Sequence, residues 1–345
     1  MINFFHIYEN PYEMDMYFFL KKFINIEKLN VYNGGFVFIN HTDINLLYKL
    51  STITPHVSDV NIICLYGWES YTDFNHLQEF YKESIRLGFN TERITVLYNN
   101  IYKFGINEYI IKKFGKIFTL SFPRMLFEKH FINKDEFTSI HNLRLSLSKN
   151  DYSCFNRIGR KHKQKTVNYI SELGIDSYTT YKFPDGFDIN KNAKLVNIKE
   201  NEKEIPNHLE FYNGKVNICV ETLYYDVDEN SFENVVHLTE KIFRNVMLKI
   251  PFTLISNKNS LNRFRKLGFK TFDCVIDESY DTMEDSIRYK ESIQSAKELL
   301  KFYNDKKVQD VLDYNFNLLI DKTNIHNKFD SLFLNPLKKH IKNLE

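Results

Sequence analysis

Three residues with complementary chemistry stand together at positions 239–241, at the start of an apolar helical pattern. Thr239 suits the N-cap of this helix, so that the first turn presents Glu240 and Lys241. Free backbone N–H groups and the helix dipole favour an anion at such a terminus, and a lysine adds its charge. The block therefore predicts a phosphate site, with Lys241 on a diphosphate and Glu240 accepting hydrogen bonds from a ribose diol. A plain capped surface helix is the competing interpretation.

A second cluster follows a strand-like stretch at 152–155 and precedes a basic helical segment. It contains Asn156, Arg157 and Arg160. Arginine suits a phosphate or pyrophosphate because its planar guanidinium group donates to two oxygens at once. The two arginines rank above the lysines that follow, because they lie nearest the end of the strand. The cluster therefore predicts further anion ligands in the same cleft, and a solvated basic helix face is the alternative.

The elements that must position these clusters follow a β–α rhythm. Strands are predicted at 35–39, 60–66, 94–98, 117–122, 152–155, 216–221 and 252–255. Helices are predicted at 74–87, 161–173, 239–249, 260–267 and 285–303. A polar stretch without clear periodicity, at 185–206, separates the two halves of the pattern. The alternation indicates parallel sheets covered by helices, which bind ligands at the carboxyl ends of their strands.

Length and composition indicate two α/β domains. The chain has 345 residues, of which 43% are hydrophobic, so a disordered chain and a single small binding module are excluded. We expect an N-terminal domain at 1–148, a second domain at 149–285 and C-terminal helices at 286–345, for which packing back across the domains is one option. The formal net charge of +2 creates no global field that attracts nucleic acid or an anionic membrane.

Cysteine spacing and hydropathy bear on the compartment. The four cysteines are widely separated and form no CxxC pair, so they are predicted to be buried free thiols: Cys64, Cys154, Cys219 and Cys274. The chain contains no apolar run long enough to span a bilayer and no basic leader. We therefore expect a cytoplasmic protein without a membrane span.

The ordered context of the two clusters resembles a known family. The stretches that carry the likeness are SCFNRIGR at 153–160, VNICVET at 216–222 and HLTEKIFRNVMLKIPFTLIS at 237–256. They resemble the donor-sugar half of α1,3-fucosyltransferase-type glycosyltransferases, which show a Ser-Asn-Cys-like strand with a following Arg, a Phe-Glu-Asn strand end and a Tyr-Ile-Thr-Glu-Lys block. LGFKTFDCVIDESYD at 267–281 resembles segments of uncharacterised bacteriophage glycosyltransferase-like proteins. The likeness covers about residues 150–285 and is faint in the first domain.

This resemblance implies a GT-B glycosyltransferase with two doubly wound, Rossmann-like domains facing a cleft. The nucleotide-sugar would lie in the second domain and the acceptor in the first. The two clusters and the resemblance together give a candidate donor-binding set of Asn156, Arg157, Arg160, Glu221, Thr239, Glu240 and Lys241, of which Arg160 is additional to the family pattern. Within it Arg157 and Lys241 bind the diphosphate. Glu240 binds the ribose, and Glu221 the sugar or its neighbouring loop. The implied reaction transfers a hexosyl or pentosyl group with inversion, in the host cytoplasm if the protein is phage-encoded.

An inverting transfer needs a carboxylate that takes the proton of the acceptor hydroxyl. Glu69 is the first candidate, because it follows a strand, a glycine that permits a tight turn, and Trp68, whose indole offers a face for a sugar. Glu128 is the second choice, and His41 and His56 are alternatives to either. A solvent-exposed loop glutamate beside a buried tryptophan is the competing interpretation of residues 68–69.

A metal and a different function class are the remaining alternatives. Asp226 and Asp228 form a DxD-like pair of the kind that holds Mg²⁺ or Mn²⁺ on a diphosphate. A metal is not favoured, because the basic groups would already neutralise the phosphates, so the expected ligand is the nucleotide-sugar alone. The acceptor is left open between a glycan and a modified DNA base. A non-catalytic nucleotide-binding or scaffold protein with the same fold is the alternative from another class.

A DNA acceptor would call for a basic, aromatic-lined surface on the first domain. The residues available for it are Lys21, Lys22, Lys28, Lys82, Arg86 and Arg93. The competing interpretation is that these residues are ordinary surface charges.

Overall fold

The structure is a computed structural model, which describes part of the chain. The described residues are 36–40, 44–53, 56–66, 74–98, 101–102, 116–119, 142, 150–156, 160–175, 177–181, 195–197, 214–221, 224, 235–236, 238–321, 323–324, 327 and 330–344. The chain divides into two compact units, one formed by Met1–Phe122 with His326–Glu345 and the other by Pro123–Ile325. The C-terminal segment expected at 286–345 is therefore divided between the units.

Helices and parallel sheets make up both units, which confirms the α/β class. The strands are β1 (Phe36–Asn40), β2 (Asn61–Tyr66), β3 (Ile94–Tyr98), β4 (Ile101–Tyr102), β5 (Lys116–Thr119), β6 (Asn150–Phe155), β7 (Ser177–Tyr181), β8 (Leu195–Asn197), β9 (Gly214–Val220), β10 (Val235–Val236) and β11 (Phe252–Ile255). The α-helices are α1 (Ile44–Ile53), α2 (Phe74–Arg86), α3 (Lys161–Glu172), α4 (Glu240–Met247), α5 (Ser260–Lys266), α6 (Asp285–Lys301), α7 (Lys306–Ile320) and α8 (Asn335–Leu344).

The first unit is built on a four-stranded parallel sheet in the order β1-β2-β3-β5. Its apolar side chains are buried where strands and helices meet, as at Leu47, Ile62, Phe80 and Ile94. Helix α2 ends at Arg86, and Gly88 follows with φ of 84°, a left-handed conformation that favours glycine after a helix. The βαβ rhythm predicted from the sequence is confirmed for these strands.

The second unit is built on a five-stranded parallel sheet in the order β11-β9-β6-β7-β8. The chain enters at the central strand β6, adds β7 and β8 on one side, and then crosses back to add β9 and β11 on the other. The strand order therefore reverses between β6 and β9. In open parallel sheets the crevice at such a switch point, outside the carboxyl ends of the strands, is the place where ligands bind.

An aromatic cluster packs α4 and α5 against this sheet. The buried rings are Phe243, Phe252, Phe264, Phe269 and Phe272. The rings of Phe264 and Phe269 stack with centroids 4.7 Å apart, and Phe252 meets Phe272 edge to face at 5.5 Å. Such contacts add to the burial of large apolar surfaces. The cluster gives α4, and hence the residues at its beginning, a rigid base.

The close approach of β6 and β9 depends on Gly214. A Cβ atom at this position would lie 2.5 Å from the Ser153 backbone nitrogen and 2.6 Å from the Tyr152 carbonyl carbon. We expect Gly214→Ala to lower the free energy of unfolding by about 1–3 kcal/mol, because backbone must move to admit the methyl group. Urea unfolding followed by circular dichroism measures this loss.

Gly174→Ala is the matched control for that substitution. Gly174 has φ of 61° with no atom within 4 Å of a built Cβ, so alanine there meets only the cost of a left-handed backbone, about 1 kcal/mol. A loss at Gly214 no larger than at Gly174 would contradict the predicted backbone collision.

Several elements and one burial prediction differ from expectation. β7 and β8 were not predicted from the sequence, and β8 lies inside the stretch at 185–206 that has no clear periodicity. Cys154 and Cys219 are buried as predicted, but Cys274 is exposed, which corrects that part of the prediction. Cys274 follows Phe272 in a turn, where the phenyl ring occupies the core and the thiol faces outward. Among the helices that the structure describes, none has both the length and the apolar composition required to cross a membrane.

Candidate functional site

The two predicted clusters meet at the switch point of the second sheet. β6 ends at Phe155 and is followed by the buried Asn156 and by α3, whose N-cap residue is Arg160. β9 ends at Val220, and Glu221 comes directly after it. Because neighbouring parallel strands end at the same edge, these residues and the start of α3 share one side of the sheet.

Glu221 organises the beginning of α4. Its carboxylate is fully buried, with 0% exposure, and accepts the Thr239 backbone N–H at 2.9 Å on Oε1 and the Thr239 hydroxyl on Oε2. Lys241 Nζ lies 3.7 Å from the same Oε2 and donates to Thr239 Oγ1 at 3.0 Å. Both carboxylate oxygens are thus engaged by the protein. Glu221 holds Thr239 and Lys241 in place, and the sugar contact implied by the resemblance stays a prediction.

Thr239 caps α4 as predicted. Its hydroxyl oxygen accepts the Lys241 backbone N–H at 3.4 Å, and Thr239 itself has extended backbone angles. A hydroxyl can donate one hydrogen bond while accepting others, so Thr239 serves Glu221 and the helix together. The cap therefore fixes where the Lys241 side chain leaves the helix.

A buried ladder of polar side chains ties the same turn to the sheet. Asn245 Nδ2 donates to the Lys241 carbonyl oxygen and to Asn217 Oδ1, both at 3.2 Å. Asn217 Nδ2 in turn donates to Ser153 Oγ at 2.9 Å and to its carbonyl oxygen at 3.2 Å. Buried amides of this kind stabilise a structure when their groups find partners. The ladder links β6, β9 and α4 directly beneath the candidate site.

Lys163 adds a third basic side chain to Arg160 and Lys241. The side chain is only 3% exposed, and its burial, followed by the charges of Lys241 and Arg160, lowers the pKa of its ammonium group from 10.5 to about 7. Glu221 and Cys154 act on this pKa in the opposite direction and less strongly. Among the described residues, two cations and the buried Lys163, which is partly neutral near pH 7, thus lie around the Glu221 carboxylate, an environment that stabilises an added anion.

The sequence ranked Lys163 below the arginines, although its spacing carries a signal. Lys163 precedes Thr166, Val167 and Ile170 at helical intervals of three, four and seven residues, and all three are buried. The position therefore belongs to the face of α3 that turns inward. Charged residues at such positions are uncommon and require a partner, which distinguishes Lys163 from the exposed Lys161.

His162 supports the other side of Glu221. His162 Nε2 lies 3.1 Å from the Glu221 carbonyl oxygen, and the imidazole stacks on the Tyr224 ring at 5.5 Å. The Arg288 guanidinium group lies 4.8 Å from the centroid of the same ring. This stack connects α3 to α6 across the end of β9. These side chains were not predicted from the sequence to belong to the site.

The acidic turn at 277–281 has a structural role. The Asp281 carboxylate accepts the backbone N–H groups of Leu261 at 2.9 Å and Asn262 at 3.0 Å, and thereby caps α5. Glu278 accepts the Phe272 N–H at 2.9 Å and pairs with Arg265. The acidic turn thus anchors α5 and the segment that follows it.

Several predicted site residues lie outside the described residues. They are His41, Glu69, Glu128, Arg157, Asp226 and Asp228. Glu240 begins α4, but its side chain is also outside the described part. His56 is exposed. Within the described ranges, no group of three or more His, Cys, Asp or Glu side chains is arranged to hold a metal ion.

Comparison with known proteins found no match for this chain. No protein-family model matches the chain, and no curated protein matches it at a significant level.

Proposed function

We propose that the protein is a glycosyltransferase that moves a sugar from a nucleoside diphosphate to an acceptor hydroxyl. The observation that carries the proposal is the convergence of Arg160, Lys163 and Lys241 at the carboxyl ends of β6 and β9. Among the described residues, a cluster of three basic side chains around the Glu221 carboxylate favours a ligand that bears more than one negative charge. The resemblance of residues 150–285 to the donor half of α1,3-fucosyltransferase-type enzymes supports a diphosphate as that ligand.

In the proposed reaction, negative charge develops on the leaving group and must be stabilised by the site. The acceptor oxygen forms a bond to the anomeric carbon while the bond from that carbon to the phosphate oxygen breaks. The electron pair of the broken bond stays on the phosphate, and the proton of the acceptor hydroxyl passes to a carboxylate. Preorganised cations around the leaving phosphate stabilise the negative charge that develops there. Electrostatic stabilisation of this kind is the largest contribution to the rate enhancement of many enzymes.

Each residue of the cluster has a defined part in this proposal. Lys241 and Arg160 neutralise the diphosphate, with Arg157 as a further ligand implied by the resemblance. Thr239 and Glu221 fix the direction of Lys241 and leave the phosphate contacts to the cations. The base is Glu69 or Glu128. A GT-B arrangement, inversion, metal-independent chemistry and a cytoplasmic location belong to the same proposal.

The acceptor is a glycan or a modified DNA base. Two of the basic residues considered for a DNA surface have local partners. Arg86 pairs with Glu83 at 2.7 Å, and Arg93 donates to the Asp59 carbonyl oxygen at 3.1 Å. Both contacts leave each guanidinium group able to bind a phosphate as well. An experiment therefore has to distinguish a glycan acceptor from a DNA acceptor.

A panel of nucleotides and nucleotide-sugars tests the proposal. We expect UDP or GDP at about 100 times its dissociation constant to raise the free energy of unfolding by about 2.7 kcal/mol. CMP, with a single phosphate, serves as the matched weak ligand. Nucleotide release from UDP- and GDP-sugars in the presence of glycan and DNA acceptors then measures transfer, with and without EDTA.

Each outcome of the panel has a defined meaning. Nucleotide release that depends on an acceptor and persists in the presence of EDTA supports the proposal. Stabilisation by nucleotides without release from any donor would favour a nucleotide-binding protein. Loss of activity in EDTA would indicate a metal held by Asp226 and Asp228. Absence of stabilisation by every nucleotide would contradict a nucleotide site altogether.

A further inference from the structure

Helix α8 carries three exposed lysines on one side. Lys338, Lys339 and Lys342 fall within an arc of about 100° around the helix, because successive residues are about 100° apart. The sequence of α8 contains no aspartate or glutamate. These three side chains, which we call the lysine stripe, therefore form a local positive face on a chain whose net charge is only +2.

The opposite side of α8 is anchored to the first unit. Leu337 is fully buried, and His340 Nε2 lies 2.8 Å from the hydroxyl oxygen of Thr95 on β3. Positions 337 and 340 are centred about 180° around the helix from the middle of the lysine stripe. The lysine stripe therefore faces away from β3, and the packed side of α8 fixes its direction.

Neighbouring side chains do not neutralise the lysine stripe. Within the part of the chain that the structure describes, no ion pair engages Lys338, Lys339 or Lys342, whereas the exposed Lys301 pairs with Glu298 at 2.7 Å. Lys342 lies four residues after Lys338 and three after Lys339, spacings at which like charges destabilise a helix. The helix dipole favours a cation in the last turn, which accounts for Lys342 but not for the other two lysines. A polyanion bound along the stripe would remove this repulsion.

The other side chains of α8 favour a nucleic-acid backbone over a membrane surface. An anionic membrane binds an amphipathic helix by taking up its apolar side. The apolar side of α8 is already occupied, since Leu337 and the preceding Leu334 are buried. The described exposed residues beside the stripe are Asn335, Pro336 and Asn343. Asparagine and lysine side chains both donate hydrogen bonds to phosphate oxygens.

The dimensions of the lysine stripe suit the phosphates of a duplex. Lys338 and Lys342 are separated by about 6 Å along the helix axis. Duplex DNA presents one negative charge per about 1.7 Å of its own axis, so several phosphates lie within reach of such a patch. Arg93, one of the residues available for a DNA surface, precedes Thr95 by two residues, so its backbone lies within about 7 Å of the strand position that contacts His340. The stripe therefore adjoins a further cation of the first unit.

We propose that the lysine stripe of α8 binds the phosphate backbone of duplex DNA. The inference rests on the proposed function only in the choice of DNA, which is one of the two acceptor classes considered there. The lysines bind DNA without reading its sequence, because contacts to phosphates carry no information about the bases. They hold the acceptor on the first unit and take no part in the transfer of the sugar.

Fluorescence anisotropy with a labelled DNA duplex of about 20 base pairs measures this binding. We expect the triple variant Lys338→Gln, Lys339→Gln and Lys342→Gln to bind about 10- to 100-fold more weakly than wild type at about 50 mM salt. The slope of log Kd against log salt concentration should fall by about two to three, since each phosphate contact contributes about 0.9. A wild-type protein that does not bind the duplex, or a slope unchanged in the variant, would overturn the proposal.

Two further variants keep the test independent of folding. Replacement of the same three lysines by arginine keeps the charges and should retain the affinity and the slope of the wild type. Lys338→Gln alone should lower the slope by about one, and it repeats the test if the triple variant folds poorly. Loss of binding in the arginine variant would contradict a role that depends on charge.

Three lysines of the second unit control for general charge. Lys266, Lys306 and Lys307 are exposed like the lysines of the stripe, and no ion pair joins them to another residue that the structure describes. Their replacement by glutamine changes the net charge by the same amount, yet it should leave the affinity and the slope close to those of the wild type. Equal losses in the two triple variants would contradict a specific surface on α8.

The same variants test other partners and separate this inference from the proposed function. Tighter binding to phosphatidylserine vesicles or to an RNA duplex than to DNA, lost in the glutamine variant of the stripe, would assign the stripe to another partner and overturn the proposal. DNA binding through the stripe with no sugar transferred to any acceptor would support the inference and contradict the transferase. Sugar transfer by a protein that does not bind DNA would do the reverse.

Discussion

Lys241→Met is expected to reduce kcat/KM for the nucleotide-sugar by about 100- to 1,000-fold. The loss follows from the position of Lys241 at the start of α4, where its charge would act on the phosphate that gains electrons as the sugar leaves. Methionine keeps the alkyl stem and removes the charge. The free energy of unfolding should fall by about 1–3 kcal/mol, because the buried Glu221 carboxylate keeps both hydrogen bonds from Thr239 but loses a nearby cation. Initial rates of nucleotide release, with urea unfolding in parallel, measure the two effects.

Lys249→Met supplies the control. The Lys249 side chain has 26% exposure against 22% for Lys241, and it also forms an ion pair, with Asp313 at 2.7 Å. It stands just beyond the opposite end of α4, away from the cation cluster. Its variant should therefore retain wild-type kcat/KM. Equal losses of activity in the two variants would show that any lysine near α4 matters, which would contradict a phosphate contact at Lys241.

Local signals predicted the elements that begin and end at recognisable residues. α4 follows a threonine that caps it, and β11 follows Pro251, so both were placed from the sequence within a few residues of their observed bounds. The meeting of α3 and α4 was expected only on the assumption that strands alternate with helices in one sheet. The observed strand order, with β6 beside β9, is the direct evidence for this arrangement.

The burial of polar side chains is the feature that could not be predicted from the sequence. Lys163 stands in a run of basic residues, and such runs are commonly solvated, so only its spacing to Val167 and Ile170 indicated the inward face. Glu221 was predicted to bind the sugar or its neighbouring loop, and the structure shows its buried carboxylate in contact with Thr239 and Lys241. Both outcomes depend on contacts between segments distant in the chain, which residue type and local periodicity do not encode.

The largest loss of stability is expected from Arg288→Met. Arg288 is only 2% exposed, and its guanidinium group donates to the Ser256 carbonyl oxygen at 2.9 Å, to the Met283 carbonyl oxygen at 2.8 Å and to the Asp285 carboxylate. Its removal takes a cation away from the Asp285 carboxylate and takes these donors away from the two carbonyl oxygens. We expect the free energy of unfolding to fall by about 3–5 kcal/mol. Urea unfolding followed by circular dichroism measures this change.

Lys258→Met tests whether burial is the cause. Lys258 pairs with Glu284 at 2.6 Å beside the start of α6, so it is a cation near the same helix end, but its side chain is 28% exposed. Water replaces the lost partner there, and the variant should lose only a small fraction of what Arg288→Met loses. Arg288→Lys should fall between them, because a lysine keeps the charge but cannot donate along the three directions of a guanidinium group. Comparable losses for Lys258→Met and Arg288→Met would contradict this account, since Arg288 is buried with three acceptors whereas Lys258 pairs with Glu284 beside water.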